Sequence, residues 1–299
     1  MKLKTLISVG LLTAASLFMN LIYAQGPIDG FFNKKGRASF TLSYTSAVYD
    51  SFYVADEKVE GVPAHNSIDQ SIYNLYATYA LADDLSLVAS LPYISAKGNG
   101  EADPVNGTTE QSDFQDLNLF LKWAPYVSEL SNGSLTYFVA LGGLVPLGYE
   151  PNGILSLGTG APGVDGKVGL QYKNNSGFFG AFIAGYGLRG KASNNLNGGG
   201  PDFDAPNVAN GVFKLGYAGG SVYVDAWYDF QYSLDGVDIM GEGFDGNFPE
   251  TDVDFNRIGA NVYVPLTPLI GLSAGFGTTV SGRNIGISTS YSGGLTFNL

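Results

Sequence analysis

Cysteine is absent from these 299 residues, histidine occurs once, and beyond the first eighteen positions no apolar run reaches the ~20 residues that a membrane-spanning helix requires. The missing cysteine excludes disulfide staples, a lipidated thiol anchor and thiolate metal centres. One histidine without cysteine leaves a structural zinc or iron site without its usual donors. Basic residues are scarce as well, with 15 Lys+Arg against 27 Asp+Glu and a formal net charge of −12. That balance excludes nucleic acid as a partner, because phosphates demand a basic surface.

What is present is apolar character without long apolar runs. The chain is 45% hydrophobic and 13% aromatic and carries 42 Gly. It begins "MKLKTLISVGLLTAASLFMNLIYAQG", with Lys2 and Lys4 before an apolar stretch from Leu6 to Phe18 and a cleavage point after Ala24. This reads as a secretory signal over residues 1–24, too short for an anchor. Both leader lysines leave with it, so the mature chain carries a net charge of −14.

Export without a spanning helix leaves a soluble β protein or a barrel whose strands face lipid on one side. Periodicity favours the barrel, since apolar residues recur at every second position over windows of about ten residues. In "DLNLFLKW", Leu117, Leu119, Leu121 and Trp123 alternate with Asp116, Asn118, Phe120 and Lys122. In "SVYVDAWYDFQY", Val222, Val224, Ala226, Tyr228, Phe230 and Tyr232 alternate with Tyr223, Asp225, Trp227, Asp229 and Gln231. Such windows predict twelve strands, at 37–49, 70–81, 85–96, 114–124, 134–146, 166–173, 177–188, 208–217, 221–233, 253–264, 269–281 and 286–299. The fold class is therefore all-β, a transmembrane antiparallel up-and-down β-barrel over residues 37–299, behind an N-terminal lead-in at 25–36.

The connections alternate in length. Short ones fall at 82–84, 125–133, 174–177, 218–220 and 265–268, and long ones at 50–69, 97–113, 147–165, 189–207 and 234–252. Outer-membrane barrels keep short turns on the periplasmic side and long loops outside, so an even strand number places both termini in the periplasm. Most acidic residues fall in the long connections, giving a mouth that repels anions and favours neutral or cationic solutes, or lipopolysaccharide bridged by divalent ions. Tyr73, Tyr79, Tyr93, Trp123, Tyr126, Tyr137, Tyr228 and Tyr232 lie mostly near strand ends, as an interfacial aromatic girdle would. The last strand runs to Leu299, as a closed barrel needs for pairing its final strand with its first. "GGLTFNL" resembles the C-terminal signal read by the barrel-assembly machinery, although it ends in Leu299 with Phe297 two residues earlier.

Three stretches carry a family resemblance: "LSLVASLPYIS" (Leu85 to Ser95), "SDFQDLNLFLKWAPY" (Ser112 to Tyr126) and "FVALGGLVPLGYEPNG" (Phe138 to Gly153). Their succession resembles the outer-membrane transporter family of the phenol meta-degradation pathway. "VPLG" stands where that family commonly has a Pro-Thr-Gly-like turn. The resemblance implies an outer-membrane barrel admitting small solutes, hydrophobic or aromatic ones among them.

Alternation places Asp116, Asn118, Lys122, Asn210, Lys214, Tyr223, Asp225, Trp227, Asp229, Gln231 and Arg257 inward, as pore-lining candidates or as ion pairs filling a closed barrel. A non-conducting structural or adhesive barrel is the alternative from another class. A lesser one is a lipid hydrolase with His65 as base, Ser67 as nucleophile and Asn74 as orienting group, a two-residue match that falls in a loop. "GYGLRG" matches a dinucleotide pattern without the helix that pattern needs. "GEGFDGNFPETDVD" and "PDFDAP" lack the spacing of a calcium loop. The chain thus reads as an exported outer-membrane channel, without catalytic residues, metal or cofactor.

Overall fold

The computed structural model describes residues 28–193, 202–244 and 246–299; the leader at 1–24 and Asp245 lie outside them. Among the described residues there are sixteen strands: β1 Ala38–Val54, β2 Glu57–Glu60, β3 Ile68–Ala82, β4 Leu85–Gly98, β5 Glu110–Phe114, β6 Leu117–Leu130, β7 Gly133–Val145, β8 Gly163–Asn174, β9 Phe178–Arg189, β10 Lys191–Ala192, β11 Phe203–Asp204, β12 Val208–Ala218, β13 Tyr223–Ser233, β14 Asp254–Pro265, β15 Ile270–Arg283 and β16 Gly286–Asn298. Twelve of them follow one another around a closed antiparallel ring, in the order β1, β3, β4, β6, β7, β8, β9, β12, β13, β14, β15 and β16, with β16 pairing back onto β1. Short β2 and β5 extend β1 and β4 beyond the ring, and β10 and β11 form a separate two-stranded ribbon.

Closure runs from Ser39 opposite Asn298 to Phe52 opposite Gly286, and the Ala38 and Leu299 backbones exchange hydrogen bonds in both directions. No strand of the ring is thereby left with an open edge, the condition lipid imposes on a spanning sheet. The outward face is apolar: Leu42, Leu75, Leu121, Leu141, Leu170, Leu215 and Leu272 are all exposed. The inward phase of the same strands is buried or half-buried and mixes polar side chains, Thr41, Ser43, Ser86, Lys122, Gln171, Lys214, Asp225 and Thr296 among them, with apolar ones such as Val88, Phe120, Phe138 and Ile183. One outward aromatic row crosses β1, β3 and β4, where Tyr44, Tyr73 and Tyr93 stand on one level with Phe114 of β5, and on β6 and β7 Tyr126 faces Tyr137.

The short connections after β3, β6, β8, β12 and β14 and both ends of the ring lie at one end, and the long connections lie at the other together with the two-residue turn between β15 and β16. One expectation needs correction. The stretch 125–133 is not a turn; β6 continues to Leu130, β7 starts at Gly133, and only Ser131 and Asn132 turn. The cause is a bulge between Trp123 and Tyr126, around Pro125, which shifts the register and masks the alternation. Ring strands also run further into the long connections than the windows suggest, as at Val54 in β1 and Gly98 in β4.

Candidate functional site in the barrel lumen

The lumen is occupied from both ends. At the turn end, residues 28–36 precede β1, and residues 28–33 of them fold into the ring. Ile28 packs among Val88, Phe120, Ala124, Phe138, Ala140 and Ile183, residues drawn from four strands and one turn-end bulge. Phe31 meets Phe179 edge-on at 5.3 Å and Tyr223 at 6.0 Å. Gly30 lies so close to Gln171 that a Cβ there would stand 2.6 Å from the glutamine side chain.

Lys122 fastens this segment. Its Nζ donates to Asp29 Oδ1 at 3.0 Å, to the Asp29 carbonyl at 3.1 Å and to the Phe31 carbonyl at 2.7 Å, and it lies 4.4 Å from the Phe32 ring centroid. Both charged groups are buried, so each depends on the other to offset its desolvation. Outside the lumen, the Lys35 backbone N–H and the Lys34 ammonium both contact Asp83 in the β3–β4 turn and hold its carboxyl below the usual range.

At the loop end, the connection between β7 and β8 folds over the opening. Leu155 and Leu157 are buried against Phe52, Val62, Ile68 and Ile94. The Tyr149 hydroxyl donates to Asp116 Oδ1 at 2.7 Å and accepts the Gly160 N–H at 2.9 Å. Burial and the neighbouring Asp116 carboxylate hold that phenol well above its ordinary pKa. Gln111 and Gln115 donate to the Glu150 and Leu157 carbonyls, and Asn106 to that of Asn152. Asp103 accepts the N–H groups of Val105 and Ile154.

Between these covers lie the charged groups. Arg257 grips Asp229 through Nε at 3.1 Å and Nη2 at 2.7 Å while its guanidinium stacks on Phe255. Asp225 accepts the Tyr223 hydroxyl at 2.7 Å and Asn261 Nδ2 at 2.9 Å, with the Lys214 ammonium 3.8 Å away. Lys167 donates to Asn210, and Arg189 pairs with Asp165.

Of the eleven sequence candidates, ten thus stand in the inward phase of β6, β12, β13 and β14. Asn118 bonds the Asp116 carbonyl, and Gln231 Nε2 reaches the Val253 carbonyl at 3.4 Å. Trp227 lies half-buried over Gly259 and Gly277. Asp116 lies just before β6, under the loop cover. Sequence reasoning missed Asp29, Phe31, Tyr149, Leu155 and Leu157. A signal was present, since "PIDGFF" and "GILSLG" carry apolar residues into stretches that should otherwise be solvated.

His65, Ser67 and Asn74 do not assemble. His65 is fully buried 3.7 Å from Asp103, Ser67 accepts Asn99 Nδ2, and Asn74 accepts the Ser90 hydroxyl inside the ring. Among the described residues no group of three His, Cys, Asp or Glu side chains is placed to hold a metal.

No family model matches this sequence, and no curated protein does. Solved structures do. The chain is similar to the COG4313 outer membrane channel from Pseudomonas putida F1 at a TM-score of 0.71 and 15% identity, over 92% of this chain and 100% of that one. It is also similar to the NanC porin at a TM-score of 0.50 and 11% identity, over 86% of this chain and 100% of that one. At these identities what is shared is the architecture, and the chain has the fold of an outer-membrane β-barrel channel.

Proposed function

We propose that this protein is an outer-membrane channel for passive uptake of small solutes, hydrophobic and aromatic ones included. One observation carries the reading. The inward phase of β13 to β16 and β1 keeps half-buried polar side chains, Asp229, Arg257, Asn261, Ser288, Ser290, Ser292 and Thr45, which border water-accessible space inside the ring. The resemblance to the phenol meta-degradation transporters supports hydrophobic or aromatic cargo. Residues 1–24 act as the export signal, the turn end faces the periplasm, and the acidic loop end faces outward toward lipopolysaccharide. The terminal strand is the part presented to the assembly machinery. Of the charged candidates, Arg257 borders the accessible part of the lumen and belongs to the pore lining, while Lys122, Lys214 and Asp225 are buried in ion pairs within the wall and its N-terminal segment.

Occlusion at both ends favours a second reading, a non-conducting barrel acting in envelope structure or adhesion. Liposome swelling with the refolded mature protein separates the two, using graded neutral sugars and small aromatics. Size-dependent entry supports the channel. Absence of entry by every solute overturns it in favour of the structural barrel.

A further inference from the structure

Strand register sorts the lumen wall into levels. Across five strands, Lys214, Trp227, Gly259, Gly277 and Ser290 stand side by side, and Ala47 of β1 continues the row. Trp227 is the single aromatic side chain of this row, and its neighbours on β14 and β15 have no side chain at all. The indole therefore lies across the wall: a Cβ at Gly259 would come within 2.2 Å of Trp227 Cζ2, and one at Gly277 within 3.2 Å of Cη2. With one face on the two glycines, the half-buried ring presents its other face to the lumen.

Hydrogen-bonding groups surround this shelf. Toward the loop end, two residues or roughly 6.8 Å along the strands, stand Asp229, Arg257 and Thr279. Toward the turn end stand Asp225, Asn261, Gly275 and Ser292. Over Gly275 the Asn261 Oδ1 and Ser292 Oγ approach from either side, 2.7 and 2.6 Å from where a Cβ would sit. At the remaining edge, the Lys214 ammonium is buried with no hydrogen-bond acceptor. Its neighbour Asp225 is already engaged by Tyr223 and Asn261.

We propose that Trp227 forms a binding shelf for a neutral, polyhydroxylated ring, of the monosaccharide or cyclic-polyol class, stacked on the indole with its hydroxyls directed at the surrounding groups. The flat indole face suits the apolar face of such a ring. At this shelf, though not along the rest of the path, the rim favours a ring with hydroxyls over a bare hydrocarbon, which would cover Asn261, Ser292 and the Arg257–Asp229 pair without bonding them. Charge selects for neutrality, because Arg257 and Asp225 already have counter-ions. This deepens the channel reading and rests on it, since the ring must reach the lumen.

The test uses W123F, which removes the lipid-facing tryptophan and leaves Trp227 as the sole indole of the chain. Indole emission of the refolded protein is titrated with glucose, with open-chain sorbitol and with benzyl alcohol. The expected result is a saturable change with glucose, at least tenfold weaker with sorbitol and in N261L. If W123F refolds poorly, the unsubstituted protein serves, because Trp123 adds a constant background. A flat glucose titration, or equal saturation by sorbitol, overturns the shelf. Saturation by benzyl alcohol alone overturns the polyhydroxylated class. Liposome swelling in glucose separates this failure from that of the channel: swelling with a flat titration refutes the shelf alone, and a saturable titration without swelling refutes the channel alone.

Discussion

Replacing Asp29 with alanine tests what holds the N-terminal segment in the lumen. Lys122 and Asp29 are both almost fully buried, with side chains 5% and 7% exposed. Removing one partner of a buried pair costs about 3–5 kcal/mol, because the survivor keeps its desolvation penalty. Lys122 would retain the Asp29 and Phe31 carbonyls as acceptors, which puts the cost at the lower end. About 3 kcal/mol corresponds to a roughly 150-fold shift of the docking equilibrium toward release. Single-channel recording in planar bilayers should show more frequent or larger openings for D29A, with faster amide exchange at Ile28 and Phe31. The double variant D29A/K122M places an apolar side chain where the orphaned ammonium stood, and it should regain most of the docking. The reasoning is refuted if D29A matches the parent in conductance and exchange, or if the double variant is as perturbed as D29A.

Three further outcomes are expected. Tyr149→Phe leaves buried Asp116 without its hydroxyl donor at about 1–3 kcal/mol, so exchange and proteolysis within residues 147–161 should quicken while strand amides keep their protection. Arg257→Ala frees the Asp229 carboxylate in the lumen and should move the reversal potential in a salt gradient toward cations, and an unchanged potential would remove Arg257 from the pore lining. Asp252, beside Asp254 and facing Arg283 at 3.2 Å, has its carboxyl pushed up to about 6, first by burial and then by Asp254. The folded state therefore binds its proton more tightly than the unfolded chain does, and this contribution is present at low pH and fades as pH rises through about 6. Melting temperature should fall between about pH 4 and pH 6, and Asp252→Asn should flatten that slope.

The ring strands were legible because a sheet between lipid and a polar lumen must alternate, and Leu117 to Trp123 or Tyr223 to Gln231 can be sorted by eye. The turn at Ser131 and Asn132 was hidden because the bulge at Pro125 breaks the period that carries the signal. Inward residues could be named, but their partners could not, since Lys122 meets Asp29 across 93 positions of sequence. Both covers were illegible for the same reason. Nothing periodic marks residues 28–33 or 147–161, and the burial within them depends on a cavity that twelve other segments build. His65 shows the converse, a residue whose motif drew attention and whose environment, enclosed against Asp103, Gly98 and Gly100, is that of a packed loop.

The pairing of β1 with β16 has a kinetic consequence. Thr41 and Thr296 share a hydroxyl–hydroxyl contact at 2.8 Å although 255 positions separate them. Eleven neighbouring hairpins can zip locally, but the seam must wait until the last residues have emerged and travelled around to the first. Contacts so distant in sequence are reached late and slowly. Until then β1 and β16 each carry an open edge able to pair with any other strand, so misassembly should concentrate at that seam. The N-terminal segment has to find its place against Phe179 and Tyr223 on the far wall, which ties its docking to the moment the ring shuts.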